Sequence, residues 1–438
     1  MNETAENTVP NTMSAMKRGL LRKLTVLSVI RPVYSRLKYT FALILLLFIS
    51  FSGFSSTAAE TEIRSIKLAG EQNKIRIAFR LSGDVEFSHF SLSAPYRLVI
   101  DFENSKIKLG EDVVSGAPGF LQTMRFGKIE SGAERVIIRS SKPFLVEQSF
   151  RAQPTGDGTQ TIVFDLKSSG EGAFRLALAR EAATKLIKEK EKPTPKIEPT
   201  RETLPLEGRL PRIVIDPGHG GIDGGASAVG RRDIVEKRVV LAFAKKLEAA
   251  LNSTGEFDVK LTRSDDRFLS LSRRVEIARN FNADLFVSIH ADSFPQDRSV
   301  RGATIYTLSD RASNEIAAAI AATENESDFV AGYTFKDVPD DVVNILFDLT
   351  RRETEALSVG FAQHMIRELR PDIRFFKNPH QTAAFRVLKV PDIPSALVEL
   401  GFLSNSEDAT RISSLEWRQK TAKLMAEAIS SYLKTLGN

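Results

Sequence analysis

The run RIVIDPGHGG, residues 212–221, decides the fold of the second half of the chain. Ile213, Val214 and Ile215 read as a short strand buried on both faces, and Asp216-Pro217-Gly218 ends it. His219 follows among glycines that let the main chain turn tightly. Downstream, residues 234–251 place Val239, Val240, Phe243, Leu247 and Leu251 on one helical face, with Asp233 as the expected N-cap. Residues 259–262 and 285–289 read as further strands, with a helix over 271–280 between them. This alternation predicts an α/β domain over 211–438, a mostly parallel or mixed sheet flanked by helices.

Upstream of residue 211 the pattern changes twice. Residues 192–210 carry Pro193, Pro195, Pro199 and Pro205 among charges, after an alanine- and lysine-rich stretch at 173–191 with helical character. We read 169–210 as a linker. Between 60 and 168 lie short alternating segments (63–68, 74–81, 96–102, 135–139, 161–166) separated by turn clusters such as AGEQN and QPTGDG. That spacing predicts an all-β sandwich. His89 is the lone histidine of this region and has no acidic cluster beside it, so it reads as a packing or surface residue. With no catalytic set, the region reads as a binding or targeting module.

Residues 1–59 read as an N-terminal extension and secretory signal. The uncharged run FALILLLFISFSGF (41–54) follows Arg36 and Lys38 and precedes small residues that suit cleavage near Ala58 or Ala59. Its 14 residues fall short of the roughly 20 that span a bilayer, so no stable membrane anchor is expected after cleavage. The absence of an Arg-Arg pair before the run favours the general secretory route, and the long leading segment leaves Met13 or Met16 as alternative starts. This leader also explains the basic balance. Without residues 1–38, the 61 basic and 55 acidic side chains fall to 54 and 53, so no nucleic-acid footprint remains. The chain has no cysteine, which excludes disulfides and leaves histidine and carboxylate as ligands for any tightly held metal.

Two histidines fall where an open α/β sheet builds its crevice, beyond the carboxyl ends of strands. His219 follows the strand at 213–216, and His290 follows the strand at 285–289 within SIHAD. Glu236 opens the helix after the first loop. Two imidazoles and one carboxylate leave a fourth tetrahedral position for water, the arrangement of a catalytic zinc site. Glu399, at the end of the strand in PSALVELGF (394–402), is placed to take a proton from metal-bound water and pass it to a leaving amine. His364 and His380 read as non-ligands.

Together, DPGHGG (216–221), Glu236, SIHAD (288–292) and PSALVELGFLSN (394–405) resemble the zinc-dependent N-acetylmuramoyl-L-alanine amidases of bacterial cell separation. The resemblance covers about residues 211–436. It implies His219, Glu236 and His290 as Zn2+ ligands and Glu399 as catalytic acid/base. The β-region resembles, less specifically, the AMIN-type module that targets such enzymes to the septal wall. The implied activity cuts the amide between the lactyl group of N-acetylmuramic acid and L-alanine in peptidoglycan. A zinc peptidase acting within the stem peptide, or a non-catalytic wall-binding regulator, is the alternative. The resemblance also implies a periplasmic enzyme enriched at the division septum, with an activator of the LytM-domain type. Finally, it implies that an insertion at about 309–355 lays a helix over the site, one carboxylate contacting zinc until the activator displaces it. Glu324 is the expected carboxylate, with Glu326 and Glu315 as rivals.

Overall fold

The computed structural model describes residues 60–93, 95–109, 118–153, 158–189, 209–333, 345–390 and 392–436. The expected signal (1–59), residues 190–208 of the expected linker and residues 334–344 of the expected insertion lie outside the described residues.

Nine strands build the first domain: β1 (Thr61–Gly70), β2 (Lys74–Leu81), β3 (Phe87–Leu92), β4 (Arg97–Phe102), β5 (Ser105–Ile107), β6 (Leu121–Lys128), β7 (Glu134–Ser140), β8 (Phe144–Ala152) and β9 (Gln160–Ser168). They form two sheets, β5-β1-β2-β9-β8 and β3-β4-β7-β6. In β2 the side chains of Ile75, Ile77, Phe79 and Leu81 are buried while Lys74, Arg76 and Arg80 face out, the period-two pattern of a half-buried strand. Phe79, Phe102, Phe164 and Ile138 meet between the sheets in a shared core. His89 packs edge-on against Phe164, with ring centroids 5.4 Å apart, as a packing residue does.

Helix α1 (Glu171–Glu189) follows inside the stretch read as linker. Its first turns belong to the β-domain core: Phe174 is buried against Phe144 and Tyr96, and the Tyr96 hydroxyl donates to Glu171 at 2.5 Å. Phe174 supplies the apolar anchor that a free linker lacks.

The second domain holds a six-stranded sheet in the order β13-β10-β14-β17-β15-β16 and a small hairpin. The hairpin is β11 (Ser227–Ala228) with β12 (Arg231–Val235); the sheet strands are β10 (Arg212–Pro217), β13 (Asp258–Leu261), β14 (Leu285–His290), β15 (Ala303–Leu308), β16 (Phe375–Ala383) and β17 (Ser395–Glu399). The first four strands in that order run parallel, and β15 pairs antiparallel with β17, so the sheet is mixed.

Both faces are covered. Ile213, Ile215, Val287 and Val398 face α2 (Glu236–Asn252), α6 (Ile345–Leu369) and α8 (Leu415–Leu436). Val214, Phe286, Leu397 and Tyr306 face α3 (Leu271–Asn280) and α4 (Glu315–Asn325). Two short helices, α5 (Ser327–Val330) and α7 (Ser406–Ser413), complete the set among the described residues. No helix among the described residues is long and apolar enough to cross a membrane.

The start of α2 differs from expectation. Its N-cap is Val235, with no side-chain cap, and Asp233 lies upstream in the hairpin, paired with Arg231 at 2.9–3.0 Å. The β11–β12 pairing extends the main chain through Val235 and so moves the helix start to Glu236. An acid in the first turn complements the helix dipole there.

Candidate metal centre and active site

The carboxyl ends of β10, β14 and β17 lie side by side, with His290 in register with Glu399. The loop after β10 carries His219 in the left-handed region, φ +56°, a conformation that a non-glycine residue holds only when its surroundings impose it. Two buried arginines do so. Arg263 donates to Pro217 O at 2.9 Å and Gly218 O at 2.7 Å; Arg274 donates to Pro217 O at 2.9 Å and His219 O at 2.7 Å. Arg274 also pairs with Asp216 at 2.8 Å, and Thr262 and Ser288 donate to the same carboxylate. At Gly218 the main chain passes so close to His290 that a Cβ would stand 2.3 Å from the ring, so this position admits only glycine.

His219, Glu236, His290 and Glu324 converge, with one ligand-type atom of each within 4.8 Å of the others, and all four are buried. His219 Nε2 lies 3.2 Å from Glu236 Oε2 and 3.4 Å from Glu324 Oε2. His290 Nδ1 lies 3.3 Å from Glu236 Oε1 and 3.1 Å from Glu324 Oε2. Glu236 is held in place by two main-chain donors, Ala226 N and Ala291 N, each at 2.8 Å. On the far side of His219, Nδ1 meets Asp223 Oδ2 at 2.8 Å, which leaves Nε2 as the nitrogen facing the cluster.

This arrangement fits a divalent cation. His219 Nε2, His290 Nδ1 and Glu324 Oε1 are buried without a hydrogen-bond partner, a costly state for polar atoms unless something binds them. Electrostatics agree. Burial opposes charge on both imidazoles, yet the Glu236, Glu324 and Asp223 carboxylates outweigh it and hold His219 well above 6.5. His290 is likewise pushed up to about 10 against its burial, chiefly by Glu324 and Glu236. Buried carboxylates demand compensating positive charge; protons on the imidazoles supply it, and a cation held in their stead would do the same.

Glu399 lies beside this cluster and is fully buried. Its Oε2 accepts from Asp292 N at 2.9 Å, while Oε1 has no partner. Burial first, then the Asp292 carboxylate, pushes its pKa well above the usual carboxylate range. In the cation-free site this favours the protonated carboxyl, and a cation held by the neighbouring cluster would favour the ionised form, which can accept a proton and hand it on.

Glu324 reaches the cluster from α4, whose buried face is Ala317, Ile320, Ala321 and Glu324. Asn314 caps its start by accepting from Ala317 N at 2.9 Å. Asn325 clips its end, donating to Ala384 O at 2.9 Å and accepting from Arg386 N at 2.8 Å. The rivals are exposed at the two ends of the helix, Glu315 in its first turn and Glu326 just past its last residue. One residue on, Ser327 donates to Asp223 at 2.5 Å. His364 and His380 sit elsewhere, hydrogen-bonded to Ser431 at 2.6 Å and Thr307 at 3.0 Å.

The sequence reading missed Asp223, Asp292, Arg263 and Arg274. Asp223, four residues after His219, carried a usable signal in its spacing. The arginines come from separate elements and carried none.

The comparisons with known proteins point one way. A family model described as N-acetylmuramoyl-L-alanine amidase matches residues 213–431, and the AMIN domain model matches residues 65–166. The N-acetylmuramoyl-L-alanine amidase AmiC of Escherichia coli O6:H1 is 31% identical over 389 residues, 86% of this chain and 91% of that protein. AmiC of Neisseria meningitidis serogroup B is 30% identical over 397 residues, 88% of this chain and 93% of that protein. AmiA of Escherichia coli K12 is 41% identical over 227 residues, 52% of this chain and 77% of that protein.

Proposed function

The chain belongs to the N-acetylmuramoyl-L-alanine amidases and carries an AMIN domain, and from that premise we propose a zinc-dependent, self-inhibited member of the family that acts in the periplasm at the septum. Its substrate is peptidoglycan, and the bond cut joins the lactyl group of N-acetylmuramic acid to L-alanine. The observation that carries the zinc reading is the buried convergence of His219, Glu236 and His290 with unpartnered nitrogens facing inward.

In this reading His219 Nε2, His290 Nδ1 and Glu236 hold the metal. Bound zinc supplies Lewis acidity, polarising the amide carbonyl and lowering the pKa of water towards about 7. Asp223 keeps His219 in the tautomer that presents Nε2. Glu399 takes the proton of the attacking water on Oε1 and delivers it to the departing amine of L-alanine. Its Oε2 stays fixed by Asp292 N, so the acceptor oxygen does not wander.

Glu324 is the inhibitory carboxylate. From α4 it occupies the side of the cluster that substrate must reach, 3.1 Å from His290 and 3.4 Å from His219. A periplasmic LytM-domain protein that lifts α4 would open the site.

The test is metal-dependent product release from purified sacculi by the full chain carrying Glu324→Ala, which lacks the inhibitory carboxylate. Chelation should abolish release and zinc should restore it. Release that persists undiminished after metal is stripped to below one ion per ten chains, roughly, would remove zinc from the mechanism.

A further inference from the structure

The β-domain meets the inhibitory turn directly. Leu92, Val99, Ile129, Ala133 and Ile137, from the β3-β4-β7-β6 side, share one apolar cluster with Ile222, Phe268 and Ala331 of the catalytic domain. Two arginines on this face donate to main-chain carbonyls in and just after α5: Arg135 Nη1 to Ala331 O at 2.8 Å, and Arg97 Nη1 to Phe329 O. Arg135 is fixed from behind by Asp101, with contacts of 2.6 and 2.7 Å, and its guanidinium lies 5.3 Å from the Tyr333 ring centroid. Tyr333 in turn packs on Phe268, centroids 5.6 Å apart. At Gly332, φ +83°, a Cβ would stand 3.2 Å from Val99 and 3.3 Å from Ile137, so the main chain lies flat on the sheet.

The same sheet also touches the other wall of the site. Phe268 N donates to Lys128 O at 2.9 Å, and Gly127 abuts the main chain of Gly221 and Ile222, where a Cβ would be 2.3 Å from Ile222 N. Gly221 and Ile222 follow His219 in the loop that the two buried arginines organise. The β-domain therefore grips both the His219 loop and the turn that follows Glu324.

We propose that the β3-β4-β7-β6 face is a docking surface for the chain's own segment 327–333, and that this docking holds Glu324 over the metal cluster. The proposal rests on reading Glu324 as the inhibitory carboxylate. Glu324 leads into Ser327, which is tied to Asp223, and then into Phe329 and Ala331, which are tied to Arg97 and Arg135. Segment 324–333 is thus pinned at both ends, by the catalytic domain at one and the β-domain at the other. What the face recognises is a turn of main chain that presents carbonyls to two guanidiniums, with the Tyr333 ring over one of them, Arg135. A partner that binds this face competes with the segment, so engagement of the β-domain and opening of the site are coupled.

The experiment compares the full chain with Arg97→Ala, Arg135→Ala, Tyr333→Ala and Glu324→Ala. Hydrogen–deuterium exchange of residues 324–333 is followed beside basal release from sacculi. Tyr333→Ala alters the segment and leaves the β-domain sequence intact, so it separates undocking from misfolding. Exchange in 324–333 should quicken in the three docking variants while β2 and β9 stay protected, and basal release should rise roughly tenfold, the effect of losing one charge-assisted hydrogen bond from a closed state. Unchanged exchange at 327–333 overturns the docking claim whatever the rates do. Faster exchange with activation by Glu324→Ala alone overturns the regulatory claim and leaves the inhibitory reading standing. Faster exchange with no activation by any variant, Glu324→Ala included, overturns the inhibitory reading and the regulatory claim with it.

Discussion

Glu399 has one oxygen committed to Asp292 N and the other free, in a fully buried place. That division suits a proton carrier, because orientation and proton transfer use different atoms. Glu399→Ala should cost roughly 10²–10⁴-fold in turnover, the usual share of a general acid/base, while zinc content stays at one per chain. Assay of metal and rate on the same sample checks it; a variant that loses zinc along with rate would make Glu399 a ligand. A second buried acid gives a pH prediction. Burial pushes Glu134 in β7 up to about 7 from an ordinary 4.5, with Lys128 opposing and Glu60 adding to the shift. The folded state therefore binds more protons than the unfolded state between those values, and this group's contribution to stability falls as pH rises through the window. Glu134→Gln should raise the Tm relative to the parent at pH 8 and lose that advantage below pH 4.5. A difference that does not vary with pH would contradict it. At this scale the convergence of the candidate residues was legible in the sequence. Glu236 begins a helix, His290 and Glu399 end strands, and His219 lies in the loop two residues past β10, positions that strand and helix patterns bring within reading. Arg263 and Arg274 were not legible, because their role depends on folding carbonyls from 217–219 onto side chains some 50 residues away.

The proposed control rests on one element, α4. Its buried stripe packs Ile320 and Ala321 under the sheet's edge, and Asn325 locks the last turn to Ala384 and Arg386. Glu324→Ala should raise activity without an activator by removing the carboxylate itself. Asn325→Ala should raise it less, since the carboxylate remains and only its tether is lost. Basal rates of the two variants on sacculi check the order, and an Asn325→Ala rate above that of Glu324→Ala would contradict it. The resemblance implied a helix within the insertion at about 309–355. Its start was not legible, because Asn314 caps it only once the chain has turned off β15. The same holds for α2, where hairpin pairing overrode the local cap signal of Asp233. Strands of the β-domain were clearer, since side chains in β2 alternate between core and solvent without exception at the buried positions.

On the scale of the whole molecule, three things meet at one place: the His219, Glu236, His290 and Glu324 cluster at the carboxyl ends of parallel strands, the helix α4 that contributes Glu324, and a β-domain against the turn beyond that helix. The meeting of domains had no sequence signature, because the arginines and apolar side chains of the β-domain meet main-chain carbonyls and glycines that any loop possesses. Metal binding should stabilise this assembly by mass action. At free zinc a hundredfold above Kd the native state gains about 2.7 kcal/mol, a Tm rise of roughly 5–10 °C for a domain of this size. Asp223→Ala, which frees the His219 ring, should weaken zinc binding roughly 10–100-fold and shift that response to higher zinc. Thermal melts against zinc concentration check both, and a Tm indifferent to zinc would count against a metal held by the folded protein.

The most direct measurement is mass spectrometry of soluble products after zinc-loaded Glu324→Ala chain is incubated with purified sacculi. Free stem peptides that begin at L-alanine, with the glycan left intact, are the expected products. Shortened stems still joined to the sugar would contradict the amidase reading and make the enzyme a peptidase, and no release from the folded, zinc-bound protein would contradict catalysis altogether.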